Sequence, residues 1–185
     1  MSEVPVRALP GFAEPEPRWE RQGARDVERV RRALGGLVRA AYHVGATSVP
    51  GLPALPVLDL VAETENLERL AAMRLRLLAY GFDGADSPLD GCRLYVVDDF
   101  ITGERRVELR CYPPGHEEAE RIPALFALLR ARPDLAAAYH AAKLVAWRAN
   151  GSDEAAYRAA KRAWAERVVD EALAFWRFGG RASRP

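Results

Sequence analysis

The sequence reads as an α+β domain: one amphipathic helix, a mixed sheet, and then a C-terminal half that is almost wholly helical. Three patterns support this. Val27, Val30 and Leu34 recur at helical spacing among charges, ahead of Gly35-Gly36. Two pairs of short apolar runs follow, one joined by a Gly/Thr/Ser/Pro segment and the other by a short connection containing Gly103. Beyond Pro113-Pro114-Gly115 the apolar residues return to helical spacing. With 185 residues, 49% of them hydrophobic, the chain is long enough for a single domain with a sizeable core.

Taken in order, residues 1–17 are rich in Pro and Glu and are expected to form an extended arm, with one domain over 18–178. A helix over 19–34 stops at the glycine pair. Strands over 37–44 and 57–61 come next. Asn66 is placed to cap a helix through Tyr80 with the stripe Leu67, Leu70, Met73, Leu77 and Leu78, ended by Gly81. Residues 82–91 are turn-rich, and 92–97 form a strand. Arg105–Tyr112 alternates, with Val107, Leu109 and Cys111 on one face and Arg106, Glu108 and Arg110 on the other. Helices are then expected over 122–130, over 134–148 behind Pro133, and from an Asp153 cap to about Phe178.

A net charge of +1 supplies no global attraction to nucleic acid or membrane, although its distribution is uneven. Residues 59–120 carry 14 acidic and 7 basic side chains, and residues 121–185 carry 12 basic and 6 acidic. Cys92 and Cys111 sit in apolar, strand-like runs, which fits free thiols in a reducing compartment, and no Cys/His metal spacing occurs. The N-terminus has no signal-peptide pattern, and no apolar run approaches the roughly 20 residues of a membrane helix. A soluble cytoplasmic protein is expected.

The stretch 43–61 organises the chain: His-Val-Gly-Ala-Thr-Ser-Val-Pro-Gly-Leu-Pro-Ala-Leu-Pro-Val-Leu-Asp-Leu-Val. Gly45 and Gly51 allow close backbone approach, and the loop N–H groups with the Thr47 and Ser48 hydroxyls are suited to cradling a phosphate. A tight structural loop is the alternative. Asp59, inside the second apolar run, is expected either to bind a ligand or metal or to cap the loop backbone.

His-Val-Gly-Ala-Thr-Ser-Val-Pro-Gly-Leu resembles the signature of the GrpB family, also called UPF0157, of the nucleotidyltransferase superfamily. Pro17-Arg18-Trp19, Ala33-Leu34-Gly35, Tyr139 with Lys143, and Tyr157 with Lys161 extend the resemblance over most of the chain. It implies a nucleotidyltransferase-like mixed β-sheet with a helical C-terminal half and a nucleotide-like pocket. It also implies a candidate chemistry, in which carboxylates hold Mg²⁺ against a triphosphate.

On that pattern Asp59 is the first metal-binding carboxylate and Glu108 the candidate second, the two expected within roughly 5–7 Å of each other to share one Mg²⁺. Gly45, Thr47, Ser48, Arg110, Lys143, Tyr157 and Lys161 form the candidate phosphate or ligand set. Each Tyr/Lys pair is spaced i, i+4 and shares a helix face. Four features depart from the family and superfamily patterns. Ala46 stands for a serine, Leu55 for a lysine, Val61 for the second Asp of Asp-x-Asp, and Glu108-Leu109-Arg110 for His-x-His. All four bear on catalysis and none on the fold. His43 reads as a hydrogen-bonded structural histidine. His116, His140, Arg148, Arg158 and Arg162 read as surface residues, and Trp147, Trp164 and Trp176 as interhelical core.

Two functions follow. One is Mg²⁺-dependent nucleotidyl transfer to a small acceptor. The other is a catalytically inactive domain that binds a partner protein or a phosphorylated ligand, a nucleotide or a coenzyme A precursor, since some relatives are attached to dephospho-coenzyme A kinases. In either case 43–62 should form strand, loop, strand, with Asp59 facing the C-terminal helices.

Overall fold

The computed structural model describes residues 11–85, 91–150 and 153–179. A five-stranded mixed sheet in the order β1-β2-β5-β4-β3 lies between two helical layers. The strands are β1 (Val38–Val44), β2 (Leu58–Thr64), β3 (Asp83–Ala85), β4 (Arg93–Asp98) and β5 (Arg105–Tyr112). The helices are α1 (Arg18–Leu34), α2 (Leu67–Ala72), α3 (Arg74–Ala79), α4 (Glu117–Ala131), α5 (Pro133–Asn150), α6 (Glu154–Glu166) and α7 (Val169–Ala174).

Strand β2 is central, antiparallel to β1 and parallel to β5. Its side chains alternate between two cores, as period-two geometry requires. Leu58, Leu60 and Ala62, with Val107, Leu109 and Cys111 of β5, pack against Val27, Val30 and Leu34 of α1 and Leu70 and Leu77 of α2 and α3. Val61 and Tyr112, with Val44 of β1, face Phe126, Tyr139 and Trp164 of α4, α5 and α6. Ala172 and Trp176 close a third cluster on α4. Asp59, Glu108 and Arg110 therefore emerge on the α5–α6 side, as expected for Asp59.

Residues 43–62 do form strand, loop and strand, with a 3₁₀ turn, Ala46–Ser48, inside the loop. Asn66 caps α2, its carboxamide oxygen accepting from the N–H groups of Glu68 and Arg69 at 2.8 Å each. Asp153 likewise caps α6 through the Ala156 N–H at 2.9 Å.

The helix expected over 66–80 breaks at Met73 into α2 and α3, because Met73 takes φ −87°, ψ 12°. The last helix breaks near Arg167, where the chain turns onto α4, and ends in a π turn, Phe175–Gly179. The turn-rich reading of 82–91 is corrected by β3, a three-residue edge strand paired to β4; residues 86–90 lie outside the described residues. Helix α4 starts earlier than expected because the imidazole of His116 caps it, accepting from the Glu118 N–H at 3.3 Å. His116 also stacks on Tyr112 at 4.7 Å and is half-buried, so it is no surface residue.

From Gly11 the N-terminal segment runs extended, and Ala13 exchanges two backbone hydrogen bonds with Ala54. Neither cysteine forms a disulfide; Cys111 is buried and Cys92 half-buried. No described helix is long and apolar enough to cross a membrane.

Gly23, inside α1, lets the helix approach the sheet: a Cβ there would lie 2.1 Å from Nδ1 and 2.4 Å from Cγ of His43. Glycine to alanine in a helix interior ordinarily stabilises by about 0.5–1 kcal/mol. Here the obstruction lies at the root of the imidazole and no small rotation relieves it. Gly23→Ala is expected to destabilise by about 1–3 kcal/mol, read as a lower urea midpoint with an unchanged slope.

Candidate functional site

Asp59 and Glu108 are direct partners in the parallel β2–β5 register, so their side chains project side by side. Arg110, two residues further along β5, shares that face and bridges them. Its Nη2 donates to Glu108 Oε2 at 2.7 Å and to Asp59 Oδ1 at 3.4 Å. Glu108 also pairs with Arg105 at 3.4 Å and with Arg158 of α6 at 3.7 Å. Burial works against the Arg110 charge, but the Asp59 and Glu108 carboxylates outweigh it, and its pKa is raised.

Gly45 makes room for this arrangement. Its φ of +76° is the left-handed region that disfavours side chains, and a Cβ there would lie 2.3 Å from Asp59 Oδ2. The Asp59 carboxylate thus rests on the first residue of the loop. The loop hydroxyls are engaged within the fold. Ser48 Oγ donates to the Gly45 carbonyl at 2.8 Å and accepts from Arg130 at 3.2 Å. Thr47 Oγ1 lies 3.0 Å from His43 Nε2 and donates to the Val57 carbonyl at 3.4 Å. With its proton directed to Val57, the threonine accepts from His43, so Nε2 carries the imidazole proton. Burial lowers the His43 pKa to about 4, the Asp59 charge opposing and Arg130 assisting. His43 is the structural histidine expected.

The two lysines have separate environments. Lys143 is 2% exposed, donates to the Pro53 carbonyl at 2.7 Å, and lies 5.0 Å from the Phe12 ring centroid and 5.4 Å from that of Tyr139. Burial, helped by the Lys161 charge, pulls its pKa down to about 7. Lys143 is thus committed to the inner loop and the N-terminal segment. This corrects its assignment to the open ligand set. Lys161 is half-buried above Asp59, 5.1 Å from the Tyr157 ring, and among the described residues it forms no hydrogen bond or ion pair. Burial lowers its pKa against the pull of Asp59, with Arg110 and Arg158 adding to the lowering. Tyr157 is buried edge-on against Trp147, its pKa pushed up to about 12 by burial and by Asp59.

Arg158 is not the plain surface charge expected. It lies three residues before Lys161 on α6, so both point to one side of the helix, and that spacing was the available signal. His140 is also no simple surface residue, being half-buried under Phe12, its enclosed Nδ1 without a hydrogen-bond partner among the described residues. Arg130, reaching Ser48 from α4, had no local sequence signal because it lies 82 residues away.

Asp59 and Glu108 are the two carboxylates on this face, and Arg110 bridges them. Both carboxylates already accept from Arg110, and Val61 occupies the position of a further carboxylate as a fully buried core residue. No group of three or more His, Cys, Asp or Glu side chains among the described residues is arranged to hold a metal. Among the described residues Lys161, Arg110 and Arg158 gather around Asp59 and Glu108, which suits an anion. Two concavities, of about 350 and 300 Å³, lie away from this site beside Glu65 and Arg69 and beside Cys92 and Arg93.

The sheet with its helical C-terminal half defines a nucleotidyltransferase-like fold. Its backbone is similar to that of the Cid1 poly(U) polymerase, with a TM-score of 0.51 at 11% identity, over 74% of this chain and 44% of that one. The chain belongs to the GrpB family, whose "GrpB protein" model matches residues 11–171. A crystal structure of GrpB from Enterococcus faecalis superposes with a TM-score of 0.74 at 24% identity, covering 88% of this chain and 97% of that one. Among curated relatives, the UPF0157 protein YqkA of Bacillus subtilis is 24% identical over 66% of this chain and 35% of its own length. The dephospho-CoA kinase of Mycolicibacterium paratuberculosis is 30% identical over 89% of this chain and 45% of its own. The chain thus spans less than half the length of those two relatives.

His43 generates a pH dependence. It stays neutral in the fold to about pH 4 but takes up a proton near pH 6.5 when unfolded, so the unfolded state binds more protons between these values. This contribution to stability is complete above about pH 6.5 and is lost as pH falls toward 4, a change of about 2–3 kcal/mol. Urea unfolding at pH 7 and pH 4.5 is expected to show that loss in the wild type and a smaller one in His43→Gln.

Proposed function

We propose that this domain uses the nucleotidyltransferase fold to bind a small phosphorylated ligand at the Lys161–Arg110–Arg158 cluster, without metal-dependent nucleotidyl transfer. The observation that carries the reading is the Arg110 guanidinium lying between Asp59 and Glu108, with the Lys161 ammonium, which makes no hydrogen bond or ion pair among the described residues, beside them. In a transferase those carboxylates must offer their lone pairs to a metal. Here they neutralise and orient cations instead, and Lys161 keeps three N–H donors for a ligand anion. The similarity to a dephospho-CoA kinase makes dephospho-coenzyme A a probe of choice beside ATP and inorganic triphosphate. Nucleotidyl transfer is the second reading, favoured by the fold and by Asp59 standing directly on the Gly45 loop.

Isothermal titration with the three probes, each with and without Mg²⁺, separates the readings. Binding independent of Mg²⁺ is expected, weakened about tenfold to a hundredfold by Lys161→Ala through loss of a charge-assisted hydrogen bond. Asp59→Asn is expected to leave affinity unchanged or raise it slightly, because a negative charge near the anion is removed. Turnover that requires Mg²⁺ and is abolished in Asp59→Asn would establish the transferase instead. Lys143→Ala is expected to lower stability, since it leaves the Pro53 carbonyl without its donor.

A further inference from the structure

We infer that Lys143 acts behind the anion site as its proton acceptor: a phosphate bound at Lys161 is taken up together with a proton on Lys143, which itself does not touch the ligand. This rests on the phosphate reading of the Lys161 cluster given above.

Lysine is scarce in this chain. Of its 27 basic residues, 25 are arginine, and the two lysines are Lys143 and Lys161. They also meet in space. Tyr139 of α5 packs on Trp164 of α6 at 5.1 Å, and Trp147 on Tyr157 at 5.7 Å, so the two helices run antiparallel. Midway between those ring contacts, position 143 lies level with position 161 across the seam. A guanidinium keeps its charge when buried, whereas an amine can give up its proton. The basic pair across this seam is thus built from the residue type that can change charge.

The surroundings of Lys143 favour the uncharged amine. Its hydrogen bond to the Pro53 carbonyl can be made by an amine as well as by an ammonium, and among the described residues no carboxylate pairs with it. An enclosed ammonium beside a second cation is costly, and the Phe12 and Tyr139 rings offset only part of that. The balance is a Lys143 pulled down to about 7 by burial and by the Lys161 charge. The other groups packed around it keep one charge state near neutral pH. His140 is held below its ordinary value by burial and by Lys143, with Glu14 of the N-terminal segment opposing. Tyr139 and Tyr157 are pushed up, by burial first. Asp59 and Arg110 act on Lys161, and residues 53–55 of the inner loop have no ionisable side chain.

An anion laid on Lys161 reverses this balance, because it offsets the neighbouring positive charge. Packed helices stand roughly 8–10 Å apart, and at an effective dielectric near 20 one charge at that spacing shifts a proton equilibrium by about tenfold. Lys143, about half protonated at pH 7 in the free protein, then becomes mostly protonated. The bound state holds more protons, so affinity falls as pH rises through the Lys143 range.

The test uses the full chain and inorganic triphosphate. With two lysines in the chain, carbon-13-labelled lysine gives two Cε resonances, which Lys161→Ala assigns. The Lys143 resonance is expected to titrate near pH 7 in the free protein, and saturating triphosphate to raise that midpoint by about one pH unit. This reads Lys143 directly, so the ionisation of the probe does not enter. Wild-type affinity is also expected to fall about tenfold further than that of Lys143→Met between pH 6 and pH 9. If that variant does not fold, the wild-type resonance decides alone. A Lys143 midpoint that stays in place while triphosphate binds, or that lies near the ordinary lysine value of about 10.4, overturns the inference and leaves the phosphate reading standing. Triphosphate binding that is absent, or insensitive to Lys161→Ala, overturns both.

Discussion

The site depends on one contact: the Asp59 carboxylate lying against the backbone of Gly45. Any side chain at position 45 would occupy the space of Oδ2, and the φ of +76° turns the chain out of β1 into the 3₁₀ turn at that same residue. A carboxylate in this half-enclosed place needs opposite charge. Arg110 supplies it from β5 and reaches Glu108 with the same nitrogen. Turn, strand register and charge pairing are thus one construction, and changing any member disturbs the other two.

Around that centre the chain uses one motif in two ways. Tyr139/Lys143 and Tyr157/Lys161 have the same spacing on consecutive helices. The first lysine is enclosed and bound to Pro53, where it pins the inner loop and the segment carrying Phe12. The second is left without a hydrogen-bonding partner among the described residues and faces the carboxylates. The difference comes from what lies opposite. The Ala13–Ala54 bridge closes the space over α5, whereas α6 faces the charged strand ends.

Much of this was legible in the sequence. Alternation marked Arg105–Tyr112 at its observed bounds, and Asn66 and Asp153 announced their helices, because strand period and capping chemistry are local. The Gly/Thr/Ser/Pro segment between two apolar runs marked the Gly45 loop, and Asp59 stood out as the carboxylate inside the second run. What escaped were features decided by tertiary partners. The breaks at Met73 and Arg167 follow from where α3 and α7 must pack, and β3 exists only through its pairing with β4. Lys143 carried the same local signature as Lys161, so only the distant Pro53 and Phe12 distinguish them. His116 gave no surface signal of its cap or of its stack on Tyr112.

The parallel β2–β5 pairing has a kinetic meaning. Asp59 meets Glu108 across a sequence separation of 49 residues, and Arg158 joins them from 50 residues further along the chain. Antiparallel β1–β2 and β4–β5 are local units that assemble early, whereas the seam between them must wait for the intervening α2–β3 segment to fold back. The charged groups are therefore among the last to come into place, and the cluster exists only in a chain that has closed from its first strand to its penultimate helix. The charged cluster is a property of completed topology, so a nascent or partly folded chain carries the sheet's local hairpins without yet carrying that cluster.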